Sequence, residues 1–177
     1  WWYWLPAAAV GAGLVVYKVV LTASSGKVGW WGGSFITNLL TVAKVLAYDL
    51  WLMVLPVTLR ADYSYDGFPI AYTWADPLGL AAAALVVALL AALVWLAATG
   101  RRQAAFWGLW FFVAILPMAH LVPHHELLAE HYLLLPSLGA CALGGLGLAR
   151  LHGRNRRLAW AAGGGVLVLF VVALLAH

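Results

Sequence analysis

Long apolar runs alternate with short polar segments along the whole chain. Six of these runs reach or approach the roughly 20 residues that a helix needs to cross the hydrocarbon core of a bilayer. They cover approximately residues 4–23, 38–57, 77–98, 104–123, 132–149 and 158–176. The pattern predicts an all-α, polytopic membrane protein with about six transmembrane or interfacial helices.

The second run, 38–57, is the least regular because it contains Lys44 and Asp49. It could therefore lie partly in the membrane interface. Asp49 is about 16 Å from the start of the run, and an ionisable side chain at that depth is a candidate functional residue. Alternatively, Asp49 is protonated and hydrogen-bonded inside the bundle, or it is hydrated because the helix lies flat. In each case we expect that Asp49 does not face lipid.

Two glycine-rich stretches add detail to this pattern. The stretch "GACALGGLGLA" in the fifth run favours close packing against another helix. The stretch "GWWGGS", residues 29–34, lacks the Gly-Lys-Ser/Thr ending of a phosphate-binding loop. We interpret it as an interfacial turn anchored by Trp30 and Trp31.

The composition agrees with a membrane protein. Of the 177 residues, 66% are hydrophobic and 9% are charged, whereas about 25% are charged in a soluble domain. The basic residues fall in short loops between apolar runs, which argues against a surface that binds nucleic acid. Because the sequence begins "WWYWLP" without a methionine, we expect residues 1–177 to be a single integral membrane domain of a longer protein.

The basic residues also predict an orientation, because Lys and Arg are enriched in cytoplasmic loops. If all six runs cross the membrane, the loops 58–76 and 118–132 are extracytoplasmic, and so are both ends of the chain. The basic residues that then lie at or near the cytoplasmic side are Lys18, Lys27, Lys44, Arg101, Arg102, Arg150, Arg154, Arg156 and Arg157.

The two predicted outer loops hold most of the polar chemistry of the chain. Such side chains can perform acid–base work, bind a metal or simply be hydrated among the lipid headgroups. We expect the two loops to approach each other and to form one polar cleft on the outer face. The cleft candidates are Arg60, Asp62, Tyr63 and Asp66 in the first loop and His124, Glu126, Glu130, His131 and Tyr132 in the second.

His120 and His124 are the candidate pair for a metal site, because their spacing would place both on one face of a helix. Pro123 disfavours a helical conformation at the residue before it, and no cysteine or His-Glu-x-x-His motif supports a site. We therefore predict hydrated interfacial histidines and no metal site. The one cofactor left open is a divalent cation.

Two blocks of the sequence together resemble the transmembrane O-mannosyltransferases that carry tetratricopeptide repeats. The first block is "NLLTVAKVLAYDLWLMVLPVTLRADYSYDGFPIAYTWADPLGL". In the family, an amphipathic helix ends in Leu-x-Pro and is followed by Asp-Tyr/Trp-Ser, then by Ile-Pro and an acidic residue before the next span. The second block, "ILPMAHLVPHHELLAEHYLLLPSLGAC", resembles the family's Leu-Pro and Ala-Glu-Arg-x-x-Tyr-Leu-Pro-Ser-x-Gly. Its "HYLLLPSL" is also similar to a segment of the wider GT-C-type transferases.

The resemblance implies a GT-C-like transferase in a bacterial inner membrane or the ER membrane. It would move a sugar, typically mannose, from a polyprenyl-phosphate carrier to a protein Ser/Thr on the extracytoplasmic side. The expected partners are membrane lipids, the polyprenyl-phosphate sugar and other transmembrane subunits. We expect Arg60 and His131 to contact the carrier phosphate, with Tyr132 adding a hydroxyl and Glu130 orienting His131. Alternatively, Arg60 pairs with an acid of its own loop, and Glu130 and His131 cap the fifth helix.

The sequence departs from the family at two points. His131 stands where the family has arginine, and histidine is cationic only part of the time. The catalytic acid of GT-C enzymes lies in a first outer loop, which would precede Trp1, so the catalytic residues are unknown. The alternative functions are a catalytically silent transmembrane subunit that docks in and stabilises a larger complex, and a metal or haem carrier.

Overall fold

The computed structural model describes residues 29–55, 68–121 and 127–175, together with the helical positions 13, 16, 17 and 20 of the first run. Every regular element in these continuous ranges is helical, which confirms the predicted all-α class. Short 3₁₀ turns cover Trp31–Gly33, Leu116–Met118 and Glu130–Leu133. The α-helices are α1 Phe35–Val54, α2 Pro77–Ala98, α3 Arg102–Ile115, α4 Leu134–Arg154 and α5 Arg156–Leu175.

A capping box sets the start of α1. The backbone N–H of Thr37 donates to Oγ of Ser34 at 3.2 Å, and the backbone N–H of Ser34 donates to Oγ1 of Thr37 at 3.1 Å. Each hydroxyl thus satisfies a donor that would otherwise lack a partner in the first turn. The chain therefore turns into α1 directly after the glycines of the preceding 3₁₀ turn.

Tight turns join α2 to α3 and α4 to α5. Gly100 adopts a φ of 83°, and the N–H of Arg101 donates to the Leu96 carbonyl at 2.9 Å, which is the Schellman ending that glycine favours. Asn155 alone separates α4 from α5, and its Oδ1 accepts from the N–H of Leu158 at 3.1 Å. Because both connections are so short, the chain forms two antiparallel helix pairs, one of α2 and α3 and the other of α4 and α5. The two pairs are joined where α3 packs against α4.

Among the described residues, four helices are long and apolar enough to cross a membrane. They are α1, α2, α5 and the continuous helix formed by the last 3₁₀ turn and α4, Glu130–Arg154. The surfaces of α2 and α5 are largely exposed and apolar, as expected of helices whose outer faces contact lipid.

The fourth predicted span, 104–123, extends too far at its C-terminal end, because the helix found there ends at Ile115. The helix found there, α3, has 14 residues and is therefore about 21 Å long, less than the roughly 30 Å hydrocarbon core. It ends where Pro117, which has no N–H, enters a 3₁₀ turn. The chain then reaches His120, which has a φ of 55°.

Helix α1 lies across one end of the bundle instead of running through it. Near its start, Nδ2 of Asn38 donates to the carbonyl of His120, which follows α3. Two residues later, Leu40 lies against the first turn of α2. Near its end, Leu52 packs with Leu133, directly before α4. Both halves of α1 therefore meet the same end of the bundle, where α2 and α4 begin and α3 ends.

This position corrects the predicted alternation of loops. Gly32, before α1, lies against the carbonyl of Ala71, so residues 29–34 share one end of the bundle with the described part of loop 58–76. The prediction that α1 separates these two segments is therefore wrong, and Lys44 does not extend towards the opposite side. Lys27 lies outside the described residues.

The expectation that Asp49 avoids lipid is confirmed. Asp49 is 3% exposed, and it lies one turn from Val45 on the buried face of α1. The alternative in which a flat helix leaves Asp49 hydrated is wrong, because the surface on which α1 lies is that of the protein itself.

Close packing of the glycine-rich helix α4 is found at Gly139. A Cβ added there would lie 2.5 Å from the carbonyl oxygen of Trp107 in α3. A Cβ at Gly144, Gly145 or Gly147 would meet no atom within 4 Å. The prediction of close packing therefore holds for the first of these glycines and is wrong for the other three.

This contrast predicts the effects of two substitutions in α4. Gly139→Ala should lower the free energy of unfolding by about 1–3 kcal/mol, because the added methyl group forces α3 and α4 apart. The matched control Gly144→Ala should leave stability unchanged or raise it by up to about 1 kcal/mol, since glycine weakens a helix interior. Chemical unfolding of the protein in detergent micelles measures both. Equal effects of the two substitutions would contradict the α3–α4 contact.

Candidate functional site

A buried stripe of polar residues on α1 forms the centre of the candidate site. Thr37, Thr41 and Lys44 are spaced so that they share one face of the helix, and Asn38 lies beside them. All four are at most 7% exposed. Buried polar groups are costly unless they are hydrogen-bonded, so this face of α1 must be matched by specific partners.

The neutral members of the stripe bind the backbone of three separate segments. Oγ1 of Thr41 accepts from the N–H of Ala71 at 3.0 Å. Oδ1 of Asn38 accepts from the N–H of Trp31 at 3.3 Å, and its Nδ2 donates to the carbonyl of His120 at 3.1 Å. The turn before α1, the segment before α2 and the segment after α3 are therefore fixed to one helix.

An ion pair joins the middle of α1 to the start of α2. Nζ of Lys44 lies 2.8 Å from Oδ2 of Asp76, and the two side chains are 6% and 22% exposed. The same oxygen accepts from the backbone N–H of Gly79 at 2.6 Å, so Asp76 also caps α2. The hydrogen bond from Lys44, followed by that from Gly79, lowers the pKa of Asp76 below its ordinary value of 3.8.

The described parts of the two predicted outer loops meet on α1 through apolar side chains. Val45 of α1 forms a buried cluster with Leu127 and Leu128, and Phe68 and Ile70 pack against that cluster. Residues 56–67 and 122–126 lie outside the described part of the chain. The polar cleft, which would be built largely from those residues, therefore stays a prediction.

Three of the predicted site residues are described. Glu130, His131 and Tyr132 form the 3₁₀ turn that continues into α4. His131 is exposed, and its ring meets that of Tyr132 edge to face, with centroids 4.3 Å apart. Tyr132 is partly buried against the cluster that contains Leu52 and Leu133. The predicted residues outside the described ranges are Arg60, Asp62, Tyr63, Asp66, His124 and Glu126.

Ala129 and Leu133 occupy the N-cap positions of the 3₁₀ turn and of α4, and neither makes a side-chain capping hydrogen bond. The alternative in which Glu130 and His131 cap the fifth predicted helix stays a prediction. His131 is an exposed ring at the N-terminus of a continuous helix, where the aligned peptide dipoles favour an anion. The orienting role of Glu130 stays a prediction.

The helical spacing on which a metal site at His120 and His124 would depend is not found at His120. This residue is 2% exposed and follows α3 with a φ outside the helical region, so helical spacing to His124 does not apply. Within the described ranges, no group of three His, Cys, Asp or Glu side chains could hold a metal ion.

The sequence analysis missed the roles of Asp76, Thr41 and Asn38. Asp76 directly precedes Pro77, which is a common signature of a helix start, and this signal was present in the sequence. Thr41 and Lys44 follow Thr37 at helical spacing, which indicates a polar face. The partners of that face beyond the start of α1, however, lie 30 to 82 residues away in the sequence, and no local pattern identifies them.

The chain is similar to protein O-mannosyl-transferase TMTC1 of Mus musculus, with 33% identity over 121 residues that cover 66% of this chain and 13% of the relative. It is also similar to TMTC1 of Homo sapiens, with 32% identity over 141 residues that cover 77% of this chain and 15% of the relative. The chain thus spans a small part of the length of these relatives. No family model and no solved structure matches it. The similarity supports a relationship to the TMTC family.

The ion pair predicts a pH dependence of stability. Because the pKa of Asp76 is lowered in the folded protein, its stabilising contribution is present above the ordinary value and is lost as the pH falls through the folded-state pKa. Asp76→Asn keeps an acceptor for the cap but removes the charge facing Lys44. Thermal unfolding in detergent should show that the wild type is more stable than Asp76→Asn from about pH 5 to 7. This difference in stability should shrink as the pH falls below the ordinary pKa of Asp76. A difference that does not change with pH would contradict the ion pair.

Proposed function

We propose that this chain is part of the membrane domain of a glycosyltransferase. The enzyme takes a sugar, typically mannose, from a polyprenyl-phosphate carrier and transfers it to a Ser or Thr hydroxyl of a protein. The observation that carries the proposal is the convergence on α1 of two distant segments, 68–76 and 127–132. Both belong to the blocks that resemble O-mannosyltransferases, and TMTC1 bears that activity in its name.

The proposed phosphate site lies at the start of α4. His131 is exposed in the first turn of the helix Glu130–Arg154, and the N–H groups of a helix start favour a phosphate. A protonated imidazole would add a charged donor, and the hydroxyl of Tyr132 a neutral one. Arg60, from loop 58–76, is proposed as the second cation, and Glu130 as the residue that orients His131.

The charge distribution supports an extracytoplasmic position for this site. The arginines of the described chain lie at the turns between α2 and α3 and between α4 and α5. Asp76 and Glu130 lie at the opposite end of the bundle, where α1 is found. Under the positive-inside rule the arginine-rich turns face the cytoplasm, so the α1 end and the proposed phosphate site face outwards.

The test uses the full-length protein and a radiolabelled polyprenyl-phosphate mannose. His131→Ala should weaken binding of the carrier about tenfold, the loss expected for one charged hydrogen bond, and His131→Arg should preserve it. Arg60→Ala should also weaken binding. Transfer to a Ser/Thr-containing acceptor measures activity separately from affinity.

His152→Ala is the matched control, because His152 is an exposed histidine at the other end of the same helix. It should leave carrier affinity unchanged. Unchanged affinity in both His131→Ala and Arg60→Ala would show that the carrier phosphate binds elsewhere. Binding without any transfer by the wild type would favour a silent subunit over an enzyme.

A further inference from the structure

An open groove of about 270 Å³ lies between α4 and α5, at the end of the bundle opposite α1. Its walls are mostly apolar, and one of them includes the exposed indole of Trp160. The groove belongs neither to the buried stripe of α1 nor to the proposed phosphate site. It is lined by Leu148, Ala149 and His152 of α4 and by Ala159, Trp160 and Gly163 of α5.

Gly163 keeps the groove open. A Cβ at this position would find its nearest neighbour, Cδ1 of Leu148, 4.0 Å away, so a larger side chain would extend into free space between the helices. Nearer the turn, the rings of His152 and Trp160 meet at a centroid distance of 6.2 Å. The groove is thus open along its length and bounded by two rings close to the α4–α5 turn.

The rim of the groove is strongly basic. The side chains of Arg150, Arg154, Arg156 and Arg157 are exposed around the α4–α5 turn. No Asp or Glu occurs between residues 131 and 177, so this hairpin supplies no acidic partner for them. An exposed apolar wall therefore adjoins a cluster of permanent cations.

We propose that this groove binds one anionic phospholipid. An acyl chain lies between Leu148 and Gly163, and the phosphate is held by the arginines of the turn. Guanidinium groups match phosphate oxygens in paired hydrogen bonds, and the indole of Trp160 suits the depth of the lipid glycerol. A zwitterionic lipid would fill the groove but leave the arginine charge uncompensated. A free phosphate would compensate the charge but leave the apolar wall in water. The proposal is independent of the proposed glycosyltransferase function.

Native mass spectrometry of the full-length protein in a neutral detergent tests the proposal. Phosphatidylglycerol and phosphatidylcholine with identical acyl chains are added in parallel titrations. We expect the protein to retain one phosphatidylglycerol molecule at concentrations at which phosphatidylcholine is lost. Inorganic phosphate, added as a competitor, should displace it poorly because it cannot occupy the groove.

Two pairs of variants separate the groove from general surface charge. Arg154→Gln combined with Arg157→Gln should weaken retention of phosphatidylglycerol on the order of tenfold, whereas Arg101→Gln with Arg102→Gln, at the other basic turn, should have a small effect. Gly163→Leu should abolish retention by filling the groove. Its control, Gly164→Leu, places the same side chain on the exposed neighbouring position, which has no atom within 4 Å.

Several results would overturn the proposal. One is equal retention of the two lipids by the wild type. Another is retention by Gly163→Leu at the wild-type level, as expected if another segment of the full-length protein covers the groove. A third is an equal loss in the two arginine double variants, which would show a diffuse attraction of anionic lipid without a defined site.

Discussion

The buried polar face of α1 is the constraint on which the arrangement of this protein depends. Asn38, Thr41 and Lys44 have polar groups that are removed from solvent and matched to partners on other segments. An unmatched buried donor or acceptor costs about 1–3 kcal/mol, so sliding or rotating α1 by one residue would lose several partners together. The helix therefore fixes the register of the segments that lie on it.

This constraint links the fold to the proposed chemistry. The segments that α1 holds are separated by long stretches of sequence, yet they are the ones that resemble the two blocks of a lipid-linked-sugar transferase. Asp76 is bonded both to α1 and to the first turn of α2, and Leu133, the last residue of the turn that carries His131, packs on α1. In the proposed enzyme, a glycosyl carrier and an acceptor would have to be held at fixed distances for transfer, and α1 beneath the described parts of both loops would supply such a platform.

Hydropathy was sufficient to predict the helices whose surfaces face outwards. The third predicted run, 77–98, coincides with α2, because Asp76 and Pro77 start the helix and Gly100 ends it. The position of α1 could not be predicted in the same way, since an apolar helix buried on protein has nearly the same composition as one buried in lipid. The short α3 was overestimated because the residues after Pro117 are apolar but turn away. The resemblance identified His131, but spacing alone could not show that it would be exposed at a helix start.

The most direct test of the account is the side of the membrane on which the segment before α1 lies. Gly29→Cys, Thr73→Cys and Gly153→Cys are introduced one at a time into full-length protein in which Cys141 and any other cysteine are replaced by alanine. All three positions are exposed. In sealed vesicles, a membrane-impermeant maleimide should label positions 29 and 73 from one side and position 153 from the other. Labelling of positions 29 and 73 from opposite sides would show that α1 crosses the membrane and would contradict the account.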